Sequence, residues 1–398
     1  MFKILSKFHI IIYLLLGLVM SSFATGMFER YGVPSLYELV YLPILFYLRK
    51  DFSFLQPIWK DFIQMLFIWL ILLMLAIVLG SFSISGILSV ARSYLLLIIF
   101  TSIGLNIKMD KRFYSILFLT SIGSIVGWMF FIQGKLMGIF PWGGNEFLYA
   151  FYGNMLAIPI VISLVFSFFP NIFLIGSVLV INMILSFTSG LRRQMLVSII
   201  SFALYYTIYF VKDTKLKTLI PVILVLTSLF VFLPLIEDKV EEISPYLHHR
   251  VFVRTAESNN IDSNSSRISH FNMLIDEADD LILPHGFVSK RTSVDKGTGV
   301  FVDTPIYELC YTFGFPAVFV LFIFLIVRDF KLFKAYIQYR TPPFSVWFIS
   351  GTIFIMLLFV EGSMLTWTYI LPFTGLILGS VIRYGNRKRM KEIKYYKE

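Results

Sequence analysis

At 398 residues, with 58% hydrophobic and 15% charged residues and a mean hydropathy of +0.81, the chain lies far outside the composition of soluble domains. Its net charge of +10 is spread over the segments between apolar runs, which excludes nucleic-acid binding as the reading of that charge. A single cysteine, Cys310, excludes a disulfide framework and a thiol-ligated metal, and the absence of G-x-x-x-x-G-K-[ST] excludes a P-loop module.

A helical membrane span needs about 20 apolar residues to cross roughly 30 Å of hydrocarbon. By that measure the chain reads as about twelve spans, at 8–26, 34–48, 61–80, 84–106, 113–133, 147–169, 171–189, 192–211, 218–236, 305–327, 344–362 and 364–382. The first reads as an uncleaved signal anchor, too long for a removable h-region and followed almost at once by another apolar run. The fold class expected is therefore all-α: a polytopic membrane protein with both termini inside. Four regions follow, namely helices over 1–236, a long extracytoplasmic loop over 237–304, helices over 305–382 and a basic tail over 383–398. Lys3, Lys7, Arg49, Lys50, Lys60, Lys108, Lys111, Arg112, Lys212, Lys215, Lys217, Arg328, Lys331, Lys334, Arg340 and the tail then fall inside, while the short outer loops hold Arg30, Lys135, Arg192 and Arg193. That asymmetry orients the 237–303 segment outward.

Within this loop, Ile268, Phe271, Leu274, Ile275, Ala278 and Ile282 follow helical spacing from Arg267 until Pro284-His285-Gly286 breaks the pattern. Such a helix would lie along the membrane surface with Arg267 and His270 on one face. The adjacent His248 and His249 lack metal-ligand spacing, and Asp276, Glu277, Asp279 and Asp280 read as a solvated helix end, so no metal and no cofactor is expected. Glu38, Arg92, Glu308 and Glu361 fall inside expected spans, where an ionisable group costs about 2.5–3.5 kcal/mol. With Arg192 and Arg193 they converge on the outer half of the membrane. Two readings stand side by side: Arg92 pairing with Glu38 or Glu361 and Arg192-Arg193 anchoring a helix end, or a site for an anionic group such as a lipid-linked diphosphate.

Three segments in order carry a family resemblance: Thr188-Ser189-Gly190-Leu191-Arg192-Arg193; then Ser266-Arg267 with Leu283-Pro284-His285-Gly286-Phe287; then Asp303-Thr304-Pro305-Ile306-Tyr307-Glu308 with Tyr311-Thr312-Phe313-Gly314-Phe315-Pro316. The set resembles the O-antigen polymerase and O-antigen ligase superfamily of bacterial polysaccharide assembly (lipopolysaccharide and capsule). The resemblance implies a GT-C-like glycosyltransferase of the bacterial inner membrane, with its active face extracytoplasmic. It implies a polymerase that transfers a growing glycan from undecaprenyl (polyprenyl) diphosphate to a lipid-linked repeat unit without a metal. Arg192, Arg193, Arg267 and Arg92 would hold the diphosphate, and Asp303 would act as base with Glu308 and His270 behind it. Ligases of the group carry His-Asn where this chain has Asp303-Thr304, which favours the polymerase. Asp303 also reads as a plain N-cap before Pro305. The partners implied are a polyprenyl-diphosphate-linked oligosaccharide, the membrane, a chain-length regulator and a flippase. The alternatives are a flippase or transporter of the same lipid-linked glycan and a ligase-type transferase; no internal repeat supports the transporter.

Overall fold

The computed structural model describes residues 7–24, 42–46, 49–54, 57–79, 84–137, 154–168, 172–188, 192–210, 279–287, 305–339, 342–359 and 370–385, with a few single positions between them. They are helical almost throughout. The helices are α1 (Lys7–Val19), α2 (Trp59–Leu79), α3 (Ile84–Asn106), α4 (Lys111–Leu136), α5 (Ala157–Phe168), α6 (Ile172–Thr188), α7 (Arg192–Phe210), α8 (Pro305–Phe313), α9 (Phe315–Tyr339), α10 (Pro342–Leu357) and α11 (Leu371–Tyr384).

The architecture corrects the expected one. Among the described residues, three helices are long and apolar enough to cross a membrane, Trp59–Leu79, Gly86–Asn106 and Lys111–Gly134, in place of about twelve. Lys7–Val19, Phe344–Leu357 and Leu371–Tyr384 are apolar but shorter, and α6 and α7 are apolar over their described stretches, Ser177–Ser186 and Gln194–Tyr205. The physical reason is that composition counts apolar residues without saying what they bury against. A run of 10–14 apolar residues is as well suited to a protein core as to lipid. In α5, Ala157, Ile158, Ile160, Val161, Leu164 and Val165 are all buried within the bundle. The expected span over 305–327 is likewise two elements. Gly314, at φ 84°, ends α8 in the left-handed conformation, and Pro316 starts α9 in its first turn.

The helices pack in two glycine-mediated pairs. In the first, α1 lies on α4: Gly17 meets the Thr120 carbonyl and the Cα of Gly123, while Gly127 meets Leu18 and Ser21. Ser124 Oγ donates to the Met20 carbonyl at 2.7 Å across the same contact. In the second, α11 lies on α3: Gly375 meets Leu97, Phe100 and Thr101, and Gly379 meets Thr101, Gly104 and Leu105. Both pairs use a G-x-x-x-G step (Gly123/Gly127 and Gly375/Gly379), which brings two backbones close enough for van der Waals contact along a seam. By contrast α2, with mean hydropathy 2.9, has only 11% of its apolar window buried and turns Phe67, Ile68, Ile71, Met74 and Val78 outward.

Candidate functional site

The polar loop of the sequence reading reaches the bundle through residues 279–287. A 3-10 turn at Asp280–Ile282 buries Leu281, and the chain then runs extended through Leu283. The backbone N–H groups of His285 and Gly286 donate to the carbonyls of Tyr311 and Thr312, at 2.9 and 3.2 Å, taking up two acceptors at the C-terminus of α8. Gly286, at φ 76°, sits against Leu72 and Ala76 of α2, closer than any side chain would allow. Phe287 is fully buried between Trp69 of α2 and Tyr94 of α3, with ring centroids 5.7 and 5.3 Å away, and Tyr94 meets Phe313 at 5.6 Å. Trp69 Nε1 donates to the Ala91 carbonyl at 2.8 Å, closing α2 on α3. The His285 ring stacks on Tyr311 at 4.2 Å. The Leu283–Phe287 segment is thus a plug that locks α8 to the α2/α3 pair.

Of the site residues read from sequence, Glu308 is buried on α8 and Arg92 is half-buried on α3. Their elements meet through the Tyr94–Phe313 contact. Arg192 and Arg193 open α7. Glu38, Arg267, His270, Asp303 and Glu361 lie outside the described residues. No group of three or more His, Cys, Asp or Glu side chains able to hold a metal occurs among the described residues.

A second feature had no counterpart in the sequence reading. Between the α1/α4 pair and the α3/α11 pair lies a cleft of about 730 Å³, within the roughly 300–1,000 Å³ of small-molecule sites. Leu16, Met20, Ile116 and Leu117 line one wall, and Phe100, Ile103, Phe373 and Leu376 the other. Residues 42–46, 52–54 and 57–62 supply the mouth. Among the described residues of the lining, Arg49 is the only charged one and Thr120 the only one with a hydroxyl; the rest are apolar or aromatic. Three ties hold the mouth in place. Phe54 and Ile107 form an antiparallel bridge, the Lys108 N–H donates to the Ser53 carbonyl at 2.6 Å, and Asn106 Nδ2 donates to Asp61 Oδ2 at 2.7 Å. Asp110 caps α4 by accepting the Phe113 N–H at 2.9 Å. The Arg49 guanidinium lies 4.2 Å from the centre of the Phe46 ring. The G-x-x-x-G steps were the one sequence signal of the helix pairs that form the cleft's walls.

A buried carboxyl stands apart from both. Asp329 of α9 is 7% exposed; its Oδ2 accepts the Thr352 hydroxyl of α10 at 2.7 Å, and its Oδ1 has no hydrogen-bond partner among the described residues. A side chain at Gly351 would stand 2.6 Å from Oδ1 and 2.8 Å from Val381 of α11. Burial pushes the carboxyl up to about 7, against the opposing effect of the Thr352 hydrogen bond.

These findings also correct the functional expectation. The polysaccharide polymerase, its undecaprenyl diphosphate chemistry and its place as a multi-pass inner-membrane enzyme all rested on a twelve-span scaffold with an outward loop. Among the described residues, three membrane-length helices and a core of shorter, mutually buried apolar stretches do not provide that scaffold. No protein-family model matches the chain, and no curated protein matches it.

Proposed function

We propose that this chain binds the apolar chain of an amphiphile in the cleft between the α1/α4 and α3/α11 pairs. The observation that carries the reading is the lining: a cavity of about 730 Å³ whose described walls are apolar or aromatic except for Thr120 and Arg49. Water in such a space finds few polar partners, whereas each methylene moved into it from water gains about 0.8 kcal/mol. The outward apolar face of α2 beside the mouth supports contact with lipid, since its 21 residues extend about 31 Å at 1.5 Å per residue.

The test is photolabelling of the purified full-length protein with a long-chain fatty acid carrying a diazirine on its chain, followed by peptide mapping. Adducts should concentrate on 99–120 and 372–376, and Leu117→Trp, which fills the cleft, should reduce them. Labelling spread over the outer face of α2, with none in these segments, would overturn the reading.

A further inference from the structure

The mouth of the cleft has a chemistry of its own. The segments next in sequence to its lining residues, Arg49–Asp51, residues 60–61 and residues 108–112, carry six basic residues (Arg49, Lys50, Lys60, Lys108, Lys111, Arg112) against three acidic ones (Asp51, Asp61, Asp110). Two of the three acids are already engaged within the protein: Asp61 accepts from Asn106 and Asp110 caps α4. Among the bases, Lys50, Lys60 and Lys111 are exposed beside lining residues in the chain, and Arg49 is exposed while lining the cleft itself. A guanidinium over an aromatic ring keeps its donors for an anion, and its planar fork matches phosphate. An apolar cavity that opens through a basic collar is complementary to one kind of molecule, with hydrocarbon at one end and an anion at the other.

We propose that the occupant of the cleft is a membrane lipid with an anionic phosphate head group, its chain between the helix pairs and its phosphate on Arg49 and the collar. This rests on the chain-binding reading above and adds the head group. The collar supplies selectivity and the walls supply affinity. Near a lipid surface each basic residue contributes about fivefold to binding of an anionic lipid.

The experiment uses the full chain in phosphatidylcholine nanodiscs containing a trace of photoreactive phosphatidic acid or, separately, photoreactive diacylglycerol with the same acyl chains. Phosphatidic acid should label 99–120 and 372–376 at least about fivefold more than diacylglycerol. Arg49→Gln should cut that preference about fivefold, and Arg49→Gln with Lys50→Gln further, while labelling of the outer face of α2 stays constant. Both substitutions are at exposed positions, and the α2 labelling reports that the variants remain folded. Equal labelling of the cleft by the two lipids would overturn the anionic head group and leave chain binding standing. Labelling of the cleft by neither would overturn chain binding itself. Displacement of the phosphatidic acid label by millimolar inorganic phosphate alone would assign the collar to a soluble anion and overturn the lipid.

Discussion

Replacing Asp329 with Asn mimics the protonated acid and removes the titration. The carboxyl ordinarily titrates at 3.8, and burial among α9, α10 and α11 moves it to about 7. The folded state therefore binds more protons than the unfolded state between those values. Its contribution to stability is fully present below about 3.8, falls as pH rises through the window, and is lost above about 7. A shift of about three units at ~1.4 kcal/mol each sets a ceiling of about 4 kcal/mol. Residual hydration of the site reduces this, so a difference of about 2–4 kcal/mol is expected at pH 8. The Asn side chain keeps an oxygen to accept the Thr352 hydroxyl, and its amide nitrogen takes the position of the acid O–H beside Gly351. Denaturant unfolding of the two proteins in one detergent, from pH 3.5 to pH 8.5, measures the effect. The variant should match the parent near pH 3.5, exceed it by about 1–2 kcal/mol at pH 5, and reach its full excess above about pH 7. The difference curve isolates this one group, because every other titration is common to both proteins. A variant less stable than the parent at pH 8, or a difference that does not change with pH, would refute the assignment of a buried carboxyl that prefers its neutral form.

Gly379→Leu should separate α3 from α11, because a Cβ at this position already stands 2.7 Å from the Leu105 nitrogen with backbone on all sides; a loss of about 1–3 kcal/mol or more in unfolding free energy is expected. Phe287→Ala removes a fully buried ring from between Trp69 and Tyr94 and should cost about 3–5 kcal/mol, with increased proteolysis at 279–287 as the local readout. Gly314→Ala forces a side chain into the left-handed region against the Ile282 carbonyl, at 2.8 Å, and should lower the thermal midpoint while Cys310, buried beside it, gains reactivity toward a thiol reagent. Asn106→Leu deletes the tie to Asp61 at the cleft mouth and should cost about 1–2 kcal/mol, read by the same unfolding assay.

Much of the local structure was legible in the sequence. Apolar runs at 61–80, 84–106 and 113–133 became α2, α3 and α4 with ends shifted by a few residues, because long apolar stretches free of Pro have no competing conformation that satisfies their backbone. Pro284 and Gly286 marked a break in the loop, where the chain leaves its 3-10 turn and docks on α8. Gly314, read only as part of a motif, ends a helix that hydropathy alone carried through to 327. Of the predicted site, the backbone placement of Arg192 and Arg193 and the burial of Glu308 are described, and the proposed base and two of its neighbours, Asp303, Arg267 and His270, lie outside the described residues.

The amino-acid sequence by itself determined that this protein is helical and apolar, where its helices bend or stop, and where glycines at four-residue spacing let two backbones touch. Those are local properties, carried by side-chain size, backbone freedom and the period of the pattern. Only the tertiary structure decided which apolar surface faces protein and which faces outward. Helices α2 and α5 are both strongly apolar, yet one turns most of its surface outward and the other has almost none to show. The cleft is tertiary in the same way, since its walls draw on residues from Leu16 to Leu376. So is the burial of Asp329, which pushes its carboxyl up to about 7. Burial belongs to the set of neighbours a side chain acquires, and a single strand of sequence names the side chain without naming the neighbours.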